Sequence, residues 1–291
     1  MRMVRGALTA VACLALVTSG AARGSDAPAP SPEKLERITA FFNDEVTSGR
    51  IPGAAILIQQ HGKPVYLKTF GYRDVTTKSP MRPDTMFALH SMTKPITNTA
   101  AMMLVDAGKL SPQDPLSKYI PAFADVKVAI EPDGGNDPAK VELVPPIRPV
   151  TIEDLMRHTS GITYEYIGAD WIQKIYRDGH LFDGKFDNKE FTARLAKLPL
   201  SRQPGTLWRY GHSTDVLGRV IEIVSGKSLY QFEKERIFDP LKMNDTRFVL
   251  DAETERTRLA EPLPSDTILI DGERSEEHTS ELQSPMYLVC R

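Results

Sequence analysis

The stretch Phe87-Ala88-Leu89-His90-Ser91-Met92-Thr93-Lys94 sets a hydroxyl and an amine three residues apart, where an apolar-periodic segment begins. Three residues is nearly one helical turn, so on a helix the two side chains share a face and can touch. A serine becomes an effective nucleophile when a neighbouring base takes its proton, and a lysine kept neutral by burial can be that base. The spacing alone is a weak signal, because Ser31-Pro32-Glu33-Lys34 repeats it. That second copy has a plainer reading: Ser31 caps a helix, Pro32 takes its first position and an amphipathic stretch follows. For Ser91 the competing reading is an N-cap serine with a solvated lysine one turn on. Three features favour chemistry instead. The apolar run before Ser91 delivers it from the interior, and Met102, Met103, Leu104 and Val105 behind it predict a buried helix. The N-terminal N–H groups of that helix would also favour a developing oxyanion.

Working outward, Ile96, Ala100, Met103, Leu104 and Ala107 carry the helical period to Gly108. Upstream, Leu35, Ile38, Phe41, Phe42 and Val46 mark one face of a helix that stops at Gly49. Ala54 to Gln59 and Val65 to Phe70 read as a hairpin turning at His61-Gly62-Lys63. Residues 121–150 are rich in Pro, Gly and Asp, which predicts a long surface excursion. Thr151 caps a short helix from Ile152 to His158, ended by Thr159-Ser160-Gly161, and residues 162–205 are mixed. The clearest helix carries Val216, Leu217, Val220, Ile221 and Val224 on one face, with Gly226 as its stop. Ser228 with Gln231 is a capping-box signature for the next helix. Strands first and mostly helices after, without repeats, is an α+β pattern.

The N-terminus reads as a secretory signal over residues 1–22. Arg2 and Arg5 supply its charge, Ala7 to Val17 its apolar centre, and cleavage after Ala21 or Ala22 is expected. Cys13 lies mid-way through the apolar stretch, which favours simple cleavage over a lipoprotein anchor. The protein is therefore expected to be exported, periplasmic or secreted. Residues 23–31 read as a Pro/Ala/Ser linker, and no later stretch has the length and apolarity of an integral membrane segment. The balance of 36 Lys+Arg against 38 Asp+Glu gives no electrostatic case for nucleic acid. Two cysteines, Cys13 and Cys290, make no disulfide framework. His61, His90 and His180 show no metal spacing, so no metal and no other cofactor is expected.

Pro83-Asp84-Thr85-Met86-Phe87, followed by Ala88 to Lys94, resembles the first motif of the class C β-lactamase-like serine hydrolases, a group that includes penicillin-binding-protein-related peptidases and esterases. Thr151 to Ile162, containing His158-Thr159-Ser160-Gly161, is similar to the family's helix-and-turn block. Pro204-Gly205, Tyr210-Gly211-His212, Leu217-Gly218 to Gly226 and Pro240-Leu241-Lys242-Met243 follow in family order. The resemblance covers about residues 32–262 and is nearest the secreted esterase branch. It implies a β-lactamase/transpeptidase-like fold, an antiparallel sheet flanked by helices with a mostly helical insert between Ser91 and Tyr210. It implies Ser91 as the acylated nucleophile, Lys94 sharing its proton, and Tyr210 relaying protons to the leaving group and from water. The physical basis for the last role is that a nearby ammonium favours the ionised form of a phenol. His212 stands where lactamases of this class usually carry Asn. As a substrate-binding residue it could donate one hydrogen bond but could not reproduce both amide contacts, which favours an esterase. His158, ending a helix, reads as structural, with a partial positive charge suiting the helix dipole.

The third motif of the resemblance, K-[ST]-G, H-x-G or W-x-G on a strand lining the site, has no counterpart after Tyr210. Its loss would remove one oxyanion-hole donor, worth about 2.7–4 kcal/mol. Without the strands expected to accompany it, the Ala54–Phe70 hairpin is left with a bare edge and an uncovered core face. Arg274 to Ser284 resembles the conceptual translation of a sequencing adapter, so a hydrolase domain over 32–273 and a foreign tail over 274–291 are expected. The reaction expected is acyl transfer to water through an acyl-enzyme on Ser91. Small carboxylic esters are the first substrate class, and β-lactams or D-amino-acid peptides the second. A catalytically silent homologue that binds peptidoglycan-like peptides or acyl groups is the alternative of a different class.

Overall fold

The computed structural model describes residues 29–130, 140–166, 171–183, 187–250, 253–264, 269–270, 273–274 and 289–290. The expected signal, most of the linker and the adapter-like run through Ser284, apart from the residues just named, lie outside the described residues.

Helix α1 (Pro32–Thr47) starts as its sequence dictates, with Ser31 accepting from the Lys34 N–H and Pro32 in the first turn. Strands β1 (Gly53–Gln60) and β2 (Lys63–Asp74) form an antiparallel hairpin, and β3 (Ser79–Pro80) adds to the far edge of β2. The side chains alternate, so α1 covers one face only. Phe42 stacks on Phe70, and Thr39 shares a hydrogen bond with Tyr66 at 3.0 Å. On the other face the cross-strand partners Leu57 and Leu67 are each 53% exposed, and β1 has one unpaired edge among the described strands.

A two-residue strand β4 (Phe87–Ala88) leads through a 3-10 turn (His90–Met92) into α2 (Thr93–Asp106). The buried face of α2 is Thr93, Thr97, Ala100, Ala101 and Leu104, whereas Met102 is 47% exposed. The helical period thus overrides the unbroken apolar run from Met102 to Val105, since four consecutive residues on a helix cannot share one face. Behind β4, Met86 is fully buried; its N–H donates to the Arg258 carbonyl, and its carbonyl accepts from the Ala260 N–H. Val289 and Cys290 pair antiparallel with β4.

Residues 121–150 are more than the expected surface excursion. They hold a 3-10 turn (Pro121–Ala124) and a hairpin of β5 (Val128–Ile130) and β6 (Glu142–Val144), with residues 131–139 outside the description. Phe123, Val126 and Val128 are buried, and the Ala129 N–H donates to the Leu200 carbonyl at 2.9 Å, which ties the hairpin to the core. The mixed stretch contains α4 (Trp171–Asp178) and α5 (Asn188–Leu195).

The core centres on α6 (Ser213–Ser225), whose Val216, Leu217, Val220 and Ile221 are fully buried against α2, α5 and α3 (Ile152–Arg157). Gly226 ends α6 in the left-handed region at φ 70°. In α7 (Leu229–Glu233) Ser228 accepts from the Gln231 N–H, but the Gln231 side chain donates onward to Glu235, so the reciprocal half of the expected capping box does not form. A π-turn (Lys234–Phe238) follows, and a short α8 (Glu253–Arg256) precedes the segment against Met86. This is the expected α+β arrangement.

Candidate active site

Ser91 sits in the 3-10 turn, exposed, one residue after His90, whose φ of 44° turns the chain sharply at the end of the apolar run. Lys94 lies one turn on and donates to Ser91 Oγ at 3.2 Å. From 119 residues away, the Tyr210 hydroxyl donates to the same Oγ at 2.7 Å. The Lys94 ammonium nitrogen is 4.9 Å from the Tyr210 ring centroid and 5.9 Å from that of Tyr164. The structure therefore brings Ser91, Lys94 and Tyr210 together around one oxygen. The helix N–H groups expected to serve an oxyanion are occupied at this turn: Met92 donates to the Leu89 carbonyl and Thr93 to those of His90 and Ser91.

Tyr210 owes its place to the segment packed beside it. Thr151 and Asp154 close a full capping box at the start of α3, and Arg148 grips the Asp154 carboxylate through both terminal nitrogens at 2.6 and 2.9 Å. These bonds outweigh burial and hold the Asp154 carboxyl below the usual carboxylate range. Thr159 also donates to Asp154, so the turn after α3 is fixed. Segment 201–212 runs along that turn: Gly205 N–H donates to Thr159, Arg209 N–H to His158, and Arg209 Nε to Thr163 Oγ1. Gly211 completes the approach, since a Cβ there would meet the Ile162 carbonyl and the Thr163 Cα at 2.5 Å. Thr151→Ala removes both a cap and an Asp154 donor, and a loss of about 1 kcal/mol is expected from urea unfolding.

His158 departs from its expected role. It occupies the left-handed C-cap of α3, but its ring packs 4.9 Å from Tyr210 and 6.3 Å from Trp208. Burial, reinforced by the charge of Lys94, lowers its pKa to about 4 despite the opposing pull of Asp215. A neutral ring does not serve the helix dipole. It forms one wall of the tyrosine's slot, and Trp208, stacked on Tyr210 at 5.9 Å, forms another. The unfolded chain takes up the imidazole proton below about 6.5 while the folded one resists until about 4. The His158 contribution to stability is therefore complete above pH 6.5 and lost as pH falls toward 4. His158→Gln is expected to flatten the decline in melting temperature between pH 6.5 and 4.5.

His212 also differs from expectation. It is 2% exposed, with Nε2 3.1 Å from Glu165 and Nδ1 facing Asp215 at 3.5 Å, so neither nitrogen is open to a substrate. Tyr164 and Glu165 are site residues that the sequence reading missed. Their signal was position, three and four residues after the His158–Gly161 block. Among the described residues no group of three His, Cys, Asp or Glu side chains could hold a metal ion.

Residues 38–269 match the Beta-lactamase family. The chain belongs to that family. It is 37% identical over 222 residues to Protein Rv1367c of Mycobacterium tuberculosis, covering 76% of this chain and 54% of the relative. It is 35% identical over 225 residues to Esterase EstB of Burkholderia gladioli, covering 76% and 53%. Among solved structures, EstCE1, a hydrolase with promiscuous acyltransferase activity, superposes with a TM-score of 0.71 at 27% identity, covering 89% of this chain and 69% of that one. The chain thus has the β-lactamase/transpeptidase-like fold, and it spans about half the length of the curated relatives it matches.

Proposed function

We propose that the protein is a serine hydrolase that transfers the acyl group of small carboxylic esters to water, with Ser91 as nucleophile. The observation that carries this reading is the double engagement of Ser91 Oγ by Tyr210 at 2.7 Å and Lys94 at 3.2 Å. Whichever of the two has given up its own proton takes the one on Ser91 as Oγ attacks the ester carbonyl. The alkoxide of the collapsing intermediate leaves with a proton returned by the same pair, and the acyl group stays on Ser91. Water then attacks the acyl-enzyme, its proton passing to the pair and back to Oγ.

Two observations favour esters over lactams. The His212 nitrogens are committed to carboxylates, so this position offers no donor to a substrate amide. Trp208, 63% exposed and stacked on Tyr210, and the exposed Met92 next to Ser91 put apolar surface beside the nucleophile, which suits an acyl chain. The similarity to an esterase and to a hydrolase with acyltransferase activity supports the same class. The test is to treat the chain with a fluorophosphonate and map the label by peptide sequencing. Label on Ser91 supports the reading, whereas unlabelled folded protein returns it to a silent acyl- or peptide-binding homologue. Export belongs to the same proposal. Expression behind its own first 22 residues should yield a mature N-terminus at Ala22 or Arg23, and an uncut Met1 would sink it.

A further inference from the structure

We propose that His212 is a positioning residue that fastens the segment Gly161 to Tyr166 to the start of α6, and thereby sets Tyr164 against Lys94 and Tyr210. The ring is enclosed. Tyr164 meets it edge-on at 4.3 Å, Phe191 of α5 at 5.1 Å and Phe182 at 5.7 Å. Its two nitrogens face carboxylates on two different pieces of chain, Glu165 in the segment and Asp215 in the first turn of α6. A carboxylate accepts and does not donate, so an imidazole with one at each nitrogen carries a proton on both and bridges the two as a cation.

The consequence reaches the nucleophile through one residue. Tyr164 adjoins Glu165, stacks on Tyr166 at 4.9 Å, stands edge-on to Tyr210 at 5.4 Å and lies under the Lys94 ammonium. Releasing Glu165 from the clamp frees the ring that borders both proton carriers. The other ionisable groups around the clamp are Tyr176 of α4, on which Glu165 and Arg209 act, and His158, on which Lys94 and Asp215 act. Burial alone would strip the proton from His212, but the bonds and charges of Asp215 and Glu165 outweigh it and raise the pKa above its ordinary value.

The test uses His212→Asn, Glu165→Gln and the double variant of the whole chain. Each is assayed for the rate of fluorophosphonate labelling at Ser91 and for stability in urea. Each single change is expected to slow labelling on the order of 10- to 100-fold through misplacement, with the half-saturating probe concentration unchanged. The double variant should be no slower than His212→Asn, and the unfolding effects should be similarly non-additive. Wild-type labelling by Glu165→Gln, or additive effects in both readouts, would overturn the clamp. If the parent chain takes no label, the proposed hydrolase reading fails, and additivity in urea alone decides the clamp. Should His212→Asn not fold, Glu165→Gln still decides through pH. The stability that His212 adds is full below pH 6.5 and lost as pH rises through its elevated value. That alkaline loss should be shallower in Glu165→Gln, and an unchanged slope would count against the proposal.

Discussion

Tyr210→Phe is expected to slow acylation of Ser91 by about 10²- to 10⁴-fold, the range by which a positioned proton carrier accelerates such a step. The substitution removes one atom from the site and little else. The ring would keep its stacking on Trp208, its contact with His158, its edge to Tyr164 and the Lys94 cation over its face. Only the 2.7 Å bond to Ser91 Oγ is lost. Melting temperature should therefore barely move while the rate collapses, a separation that a packing role could not give. Removing the other carrier with Lys94→Met should cost a similar factor, and the double variant should be little worse than either single, because residues acting as one unit are not additive. Burst kinetics with p-nitrophenyl acetate measure all three. A Tyr210→Phe rate within threefold of the parent would remove the phenol from the mechanism.

How much of this site was legible in the sequence depends on the range of the interactions that build it. Ser91 and Lys94 were readable because their contact is one helical turn long and needs only local geometry. Tyr210 carries no periodic signal, and only its resemblance to a family motif singled it out. What places it is long-range: the Asp154 network, and the Gly211 backbone against Ile162 and Thr163. The errors share that cause. The dipole rule applied to His158 is local, whereas the walls around its ring come from residues 94, 208 and 210. His212 was assigned to a substrate because its partner Glu165 stands 47 residues away. In residues 121–150 composition hid the burial, since many Pro, Gly and Asp residues outvoted the buried Phe123, Val126 and Val128, and Lys127 and Ala129 bond to Leu200, about 70 residues away in sequence. The fold class survived these errors, because the periodicity of α1, β1, β2, α2 and α6 is set by which face is buried.

Glu233→Gln is expected to stabilise the protein by roughly 3–4 kcal/mol at pH 8, and by little at pH 5. Glu233 ends α7 with no exposed surface, under the helix that carries Lys94. Its Oε1 accepts from the Thr97 hydroxyl at 3.0 Å, and its Oε2 has no hydrogen-bond partner among the described residues. Burial, opposed only by that one hydroxyl, raises its pKa to about 8 from an ordinary value of 4.5. Between those two values the folded state holds a proton that the unfolded state has released, so stability falls as pH climbs from 4.5 and levels off above 8. Glutamine has nearly the same shape, keeps an acceptor for Thr97 and has no charge to bury, so it escapes this loss. Urea unfolding of the two proteins at pH 5, 7 and 9 decides the matter. The gap should widen with pH and stop growing beyond about pH 8. A constant gap would mean that Glu233 is already ionised in the folded state at pH 5, with a cation or water beside Oε2. Thr97 lies three residues after Lys94 on the buried face of α2, so the same titration acts on the packing beneath the nucleophile. An alkaline fall in Ser91 labelling that Glu233→Gln abolishes would tie the buried acid to the site.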